Sequence, residues 1–412
     1  MADFSYVVRT QDGVRKEGTV SANNYNEAME QLVNDKYIVV KLHEKDTSFD
    51  FMGPFLDRLS LAFEKFKFRI PLNVLVFFTR QLSTMFSAGL TIERAFYFLS
   101  AEEKHKKFKV ILETIERDIR RGMLLSDALE RHPGAFSNLY ISLVRAGEVS
   151  GKLSQTLEEL AVYLETLEDT RRKVQSAMYY PVFIIGFLVV MLIVTFTFII
   201  PQFATVYDTL GSDLPAYTVM MVNMGEWFQA NFFFVIFMIV FVQLILWMIT
   251  LTDSGRLIKD KVFFKVPVFG KLIEQSILSK FSKTFGLLIN AGVSVIESLS
   301  LVHKVVDNRV FELAIVDATK NITEGASISA ALRDTGVFPP IMIQLLSTGE
   351  ETGEIDNLLL KASDFYTKQV NATIDRMTSI IEPALIIFVG VVVGIIVVVT
   401  YLPIFHFGAA LN

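Results

Sequence analysis

Phe78-Thr79-Arg80-Gln81-Leu82 followed by Ser87-Ala88-Gly89-Leu90-Thr91 returns 203 residues later as Phe281-Ser282-Lys283-Thr284-Phe285 and Asn290-Ala291-Gly292-Val293-Ser294. The register then holds with small slips. Gly122, Ser126, Ala128 and Leu129 match Gly325, Ser329, Ala331 and Leu332. Gly147-Glu148, Gly151 and Leu153 match Gly349-Glu350, Gly353 and Ile355, and Pro181 and Pro201 match Pro383 and Pro403. Self-similarity at a fixed spacing marks a duplicated structural unit. The chain is therefore read as two copies of one domain.

The matched residues are helix punctuation. Gly89 and Gly292 suit the left-handed position past a helix end, and Thr91 and Ser294 suit the cap of the helix that follows. Ser294 and Glu297 have capping-box spacing. Gly122 and Gly325 precede the candidate caps Ser126 and Ser329, and Gly147 and Gly349 are read as a third break. Between breaks, apolar residues recur at three and four: Leu157, Leu160, Ala161 and Leu164, then Leu358, Leu359, Ala362 and Phe365. Each copy is expected to be a bundle of about six short helices.

Outward from the repeat, three segments reach spanning length without a charged side chain: Val182 to Ile200, Phe232 to Leu251, and Ala384 to about Phe405. About 20 helical residues rise roughly 30 Å, the thickness of the hydrocarbon core. Each copy thus ends in a span, and the middle segment returns the chain between them. Arg171, Arg172 and Lys173 precede the first span, and Arg256, Lys259, Lys261 and Lys265 follow the second. Pro201 to Asn231 carries Asp208, Asp213 and Glu226 but no Lys or Arg. Positive flanks stay cytoplasmic, so the N-terminus is expected inside and the C-terminus outside. The composition agrees, with 52% hydrophobic residues, 20% charged residues and a mean hydropathy of +0.44.

The first residues show no charged, apolar and small-residue succession, so no signal peptide is read and the first domain is expected on the side of synthesis. Phe4 to Arg9 and Glu17 to Ser21 alternate around Gln11-Asp12-Gly13, Tyr25 to Asn34 has helical period, and Tyr37 to Leu42 is β-branched. A small ββαβ module is expected. After it, Phe51, Phe55, Leu59, Phe63 and Phe66 run beside Arg58, Lys65, Lys67 and Arg69; this stretch reads as a helix on the anionic membrane face or a linker helix packed on the first bundle.

The fold class is thus an all-α membrane protein with two repeated cytoplasmic helical bundles, three transmembrane helices and a small N-terminal ββαβ module. The expected organisation is an α/β module at 1–48, an amphipathic linker at 49–72 and a first bundle at 73–179. A first span at 180–201, a periplasmic loop at 202–230 and a second span at 231–251 follow. The second bundle occupies 252–381, the third span 382–405 and a periplasmic tail 406–412.

Chemistry is sparse. No cysteine is present, so disulfides, thiolate ligands and cysteine nucleophiles are excluded. The net charge of −5 argues against a nucleic-acid binder. Gly147-Glu148-Val149-Ser150-Gly151-Lys152-Leu153 resembles a phosphate loop but has three residues between its glycines, Leu after the lysine and a helix before it; Glu354 replaces the lysine in the second copy. His43, His105, His132, His303 and His406 form no pair at metal-ligand spacing. No catalytic set, metal site or cofactor is expected. Glu148 and Glu350 remain open between two readings: a carboxylate favouring the positive end of the next helix, or an interface contact or cation ligand. Lys104, Lys106, Lys107 and Lys109, beside Glu102 and Glu103, are a solvated face or a partner or lipid contact. Gly390 and Gly394 have the spacing that lets helices approach closely in a membrane. Asn321-Ile322-Thr323 and Asn371-Ala372-Thr373 match glycosylation acceptors but are expected on the cytoplasmic side.

The combination of Ala88-Gly89-Leu90-Thr91, Ala291-Gly292-Val293-Ser294, Gly147-Glu148 with Gly151, Gly349-Glu350 with Gly353, and proline-headed spans resembles, over the whole chain, the inner-membrane platform family of type IV pili and type II secretion systems, PilC or GspF. The resemblance implies a scaffold, not an enzyme. Its bundles would meet a hexameric ATPase at a contact here sought at Lys104 to Lys109. Its spans would meet pilin or pseudopilin subunits and other inner-membrane components, and it would form a homo-oligomer, as a dimer, among membrane lipids. Tyr401-Leu402-Pro403-Ile404-Phe405 with Gly408 looks more like the pilus branch, the secretion-branch F protein being the alternative. A small transporter is the reading from another class, since repeats mark those too; charged or broken spans would favour it, and only Gln243 interrupts them.

Overall fold

The computed structural model describes residues 2–9, 15–22, 25–34, 38–44, 70–199, 201–202, 205, 219–220, 223, 225–227, 230–250, 252–267 and 269–410. The amphipathic stretch expected at 49–72 therefore lies outside the described residues up to 69. So do the hairpin residues Gln11 to Gly13 and most of the loop between the first two spans.

The chain divides into two units, Met1–Arg69 and Ile70–Asn412. In the first, β1 (Ala2–Arg9) pairs antiparallel with β2 (Arg15–Ala22) on one side and β3 (Ile38–Glu44) on the other, giving the order β2-β1-β3. The helix α1 (Tyr25–Asn34) buries Ala28 and Leu32, one turn apart on the same face.

The second unit is helical. Its first copy runs α2 (Leu72–Ser87), α3 (Ile92–Glu102), α4 (Lys106–Arg120), α5 (Leu125–Glu130), α6 (Asn138–Ser150) and α7 (Leu153–Val194). After α8 (Phe232–Ile249) and α9 (Asp253–Lys265), the second copy repeats the order. It comprises α10 (Phe269–Asn290), α11 (Val295–Val305), α12 (Arg309–Thr323), α13 (Ile328–Asp334), α14 (Pro340–Thr352) and α15 (Ile355–Ala410).

Local chemistry sets these boundaries. At Gly89, Gly122, Gly292 and Gly325 the backbone is left-handed, with φ of +90°, +88°, +89° and +102°. The following amide reaches back to the last turn in each case: Leu90 N–H to Met85 O (3.1 Å), Met123 to Asp118 (3.1 Å), Val293 to Leu288 (2.9 Å) and Ala326 to Asn321 (3.0 Å). The carbonyls left open at a helix end are thereby satisfied, at a backbone angle that glycine adopts without a Cβ clash.

The core is aromatic in both copies. Phe78 sits edge-on to Phe96 (5.5 Å) and Phe108 (5.2 Å), with Phe136 beyond (6.2 Å). In the second copy Phe281 and Phe311 close on Phe338 at 4.9 and 5.3 Å. The two copies share one contiguous buried cluster. They meet where α7 packs on α15 and α10 and α11 reach α6, with Lys173 Nζ donating to Asn371 Oδ1 (2.9 Å) and Asn290 Nδ2 to Glu159 Oε1 (3.1 Å).

Among the described residues three helices are long and apolar enough to cross a membrane: α7 with the π-helical turn Thr195–Ile199 that continues it, α8, and α15. The expected borders at 179/180 and 381/382 fall inside single helices. Pro181 and Pro383 lie within α7 and α15 rather than at helix starts. The first and third spans are thus the C-terminal parts of their bundles' last helices, while α8 is a helix of its own. At 1.5 Å per residue, the 42-residue α7 and 56-residue α15 measure about 63 and 84 Å.

Candidate functional site

The strongest repeated constellation is an elbow built on Gly-Glu. The sequence reading makes Gly147 and Gly349 helix breaks, but the structure places both inside helices, in α6 and α14. The breaks come at Gly151 and Gly353, both left-handed, with φ of +71° and +74°. Gly147 and Gly349 serve another purpose: a Cβ on Gly147 would stand 2.7 Å from Thr156 Oγ1, and one on Gly349 2.9 Å from Ile355 Cα. The first turn of α7 or α15 folds back against α6 or α14 too closely for any side chain.

This tight hairpin aims the next residue at the short helix before it. Glu148 accepts Leu125 N–H at 2.6 Å and Ser126 N–H at 3.0 Å, one on each carboxylate oxygen. Glu350 accepts Ile328 N–H and, at 3.0 Å, Ser329 N–H, and also takes the Ser329 hydroxyl. The helix end that each carboxylate meets is therefore that of the short helix 22 or 23 residues earlier, not of the next one. An anion at a helix N-terminus answers both the open N–H groups and the helix dipole.

The serine caps read from sequence shift accordingly. Ser126 and Ser329 lie one residue inside α5 and α13. Leu124 stands at the first cap and offers no side-chain oxygen, while Ser327 caps the second, accepting Ala330 N–H at 3.2 Å. Thr91 and Ser294 do cap α3 and α11, each accepting the N–H three residues on at 3.4 Å.

The seam between the first and last helix of each copy differs. In the first, Arg80 on α2 is held by two carboxylates of α7. Nη1 donates to both oxygens of Glu158 (2.6 and 2.7 Å), and Nε and Nη2 donate to Glu165 (2.6 Å each). Ser83 Oγ adds a bond to Glu158 at 3.0 Å. Paired to Arg80, both carboxyls titrate below the usual carboxylate range, and the guanidinium is held more firmly protonated than usual. The sequence reading missed this cluster, although Glu158 and Glu165 lie seven residues apart on one helix face opposite a repeat-matched arginine. The second copy has Lys283, Leu360 and Thr367 at these places and no ion pair among them.

Lys104, Lys106 and Lys107 are exposed and Lys109 is half-buried. His105 caps α4, its Nδ1 accepting Phe108 N–H at 3.2 Å. Three lysines therefore crowd the first turn of α4 without an acidic residue, where the helix dipole disfavours cations. Gly390 and Gly394 have no heavy atom within 4 Å of where a Cβ would stand, so this pair packs no helix against another within the described chain. Among the described residues no three His, Cys, Asp or Glu side chains converge as a metal site would need.

Comparison with known proteins places these features in a family. The model described as type II secretion system (T2SS), protein F, matches residues 78–201 and again 281–403, one match per copy. The model of the N-terminal domain of type II secretion system protein F matches residues 1–43. A type IV pilus assembly protein PilC of Thermus thermophilus is 34% identical over 408 residues, 98% of each chain. PilC of Myxococcus xanthus is 37% identical over 340 residues, 82% of this chain and 81% of its own. A type II secretion system protein F of Vibrio cholerae is 27% identical over 405 residues, 98% of each chain.

Proposed function

This chain belongs to the type II secretion system protein F family, and from that premise we propose that it is the inner-membrane platform of a type IV pilus assembly machine. It couples a cytoplasmic hexameric ATPase to the insertion or extraction of pilin subunits. One observation carries the reading: the last helix of each bundle is itself a membrane span, so a displacement imposed on either bundle reaches the bilayer without crossing a loop. The packing of α7 on α15 supports both bundles facing one aqueous side. The charges flanking the first two spans support that side being the cytoplasm, with the N-terminus inside and the C-terminus outside.

In this reading the chain works as a scaffold rather than a catalyst: its repeated acids, Glu148 and Glu350, serve helix ends. Lys104, Lys106, Lys107 and Lys109 are the proposed ATPase contact; the last three stand in the first turn of α4, where they concentrate positive charge on one exposed end. The platform acts as a homo-oligomer, a dimer, with pilin and other inner-membrane components as neighbours. The F protein of a type II secretion system, handling pseudopilins, is the second reading; full-length similarity to the Vibrio cholerae protein favours it.

The test is detergent co-purification from the native cell. An ATPase and a pilin should be recovered with the chain, and reversing the four lysines to glutamate should weaken ATPase recovery by about tenfold, more than reversal at Lys320 or Arg333. Recovery of neither partner, or a reporter near Gly349 reading as periplasmic, ends the proposal.

A further inference from the structure

We infer that the side-chain amide of Gln243 pairs, inside the bilayer, with Gln243 of a second copy of this chain. The inference deepens the dimer reading above and rests on it. The helix α8 is apolar throughout except for this residue, and none of its side chains is buried against the rest of the chain. Gln243 is exposed and has no hydrogen bond among the described residues. It lies six residues before Ile249, about 9 Å along the helix and well inside a hydrocarbon core of roughly 30 Å. Two methylenes do not carry the amide to either interface from there.

An amide left unpaired in hydrocarbon costs several kcal/mol, so the environment has to supply a donor and an acceptor. Lipid tails supply neither, and no other described helix packs along α8. A second copy supplies both. Two parallel copies place the same residue at the same depth by symmetry, and an amide both donates and accepts, so each gives the other one bond. The surrounding face suits the contact: Ile239, Val240, Leu246 and Trp247, three and four residues away, are all exposed and uncharged, so close approach buries no charge.

The chain has no cysteine, so single substitutions report cleanly. Ile239→Cys, Val240→Cys and Leu246→Cys, made in the full chain in native membranes, should form disulfide-linked homodimers under oxidation. Met238→Cys, Phe241→Cys and Ile245→Cys, on the opposite face, should not. Adding Gln243→Leu, which the bilayer tolerates better than the wild type, should weaken association roughly 3- to 30-fold, and Gln243→Asn should restore part of it. Light scattering of the purified chain in nanodiscs separates the two levels. A monomer overturns the dimer reading altogether. A dimer whose cross-links favour the other face, join α8 to a different protein, or ignore Gln243→Leu overturns this pairing alone.

Discussion

The two copies keep one element and change another, and the difference shows what the fold requires of its sequence. Kept are the left-handed glycines, the close approach at Gly147 and Gly349, and the carboxylates that cap α5 and α13. Changed is the seam between first and last helix. The first copy closes it with Arg80 between Glu158 and Glu165. The second closes it by contact. Gly286, where the first copy has Ser83, brings α10 against α15, and a Cβ there would stand 3.1 Å from Leu359 Cβ. Two polar pairs flank it: Ser279 with Thr367 at 2.7 Å, and Thr373 donating to Gln275 at 2.8 Å. Backbone geometry admits few solutions, whereas a helix–helix seam can be filled by charge or by shape.

The comparison breaks most visibly at the caps. Glu148→Ala leaves two amides of α5 unpaired with no side-chain oxygen at Leu124 to replace them, so the local stability of α5 should fall by about 3 kcal/mol. Glu350→Ala should cost α13 about 2 kcal/mol, because Ser327 still caps it. Hydrogen exchange of the segments 124–131 and 327–335 reads both; equal loss would mean that Ser327 contributes nothing.

The glycines come next. Gly349→Ala pushes a methyl against the backbone of Ile355 and should destabilise the second elbow by about 2 kcal/mol, despite alanine's better helix propensity. Gly147→Ala meets Thr156 Oγ1 and Cβ, at 2.7 and 2.9 Å; rotating the hydroxyl relieves only the first, so the cost should likewise be about 2 kcal/mol. Thermal melting followed by circular dichroism in detergent would read both, and a neutral effect at either glycine would remove its contact role.

The seam gives the smallest effect and the one with a pH signature. Arg80→Gln should cost about 1 kcal/mol, since these partly exposed groups are screened by water, while Lys283→Gln should be near neutral. Folding lowers the titration of Glu158 and Glu165, so their contribution is complete above the unfolded carboxylate value, about 4.3. It is lost as pH falls through the lower folded values. The stability gap between the wild type and Arg80→Gln should therefore narrow only below about pH 4; a constant gap would show that packing, not charge, holds the seam.

Much of this was legible beforehand because it depends on local chemistry. The spans follow from the cost of charge in hydrocarbon. The caps at Thr91 and Ser294 and the turns at Gly89 and Gly292 follow from the needs of a helix end. Sequence reasoning erred where a glycine has two uses: Gly147 and Gly349 look like helix stops but provide room between helices, and spacing alone does not separate a backbone need from a contact need. Of the two readings open for Glu148 and Glu350, the helix-end one named the next helix, whereas the carboxylates meet the short helix before, since proximity along the chain stood in for proximity in space.

By itself, then, the sequence determined the duplication, the three spans and the positions of most helix ends, because each depends on residues within a turn or two or on a bilayer of known thickness. Only the tertiary structure decided which helix a carboxylate caps, that Arg80 joins two glutamates more than seventy residues away, and that bundle and span share one unbroken helix. Those outcomes depend on how distant segments meet, and that is set by packing over the whole core, a property no short stretch of sequence carries.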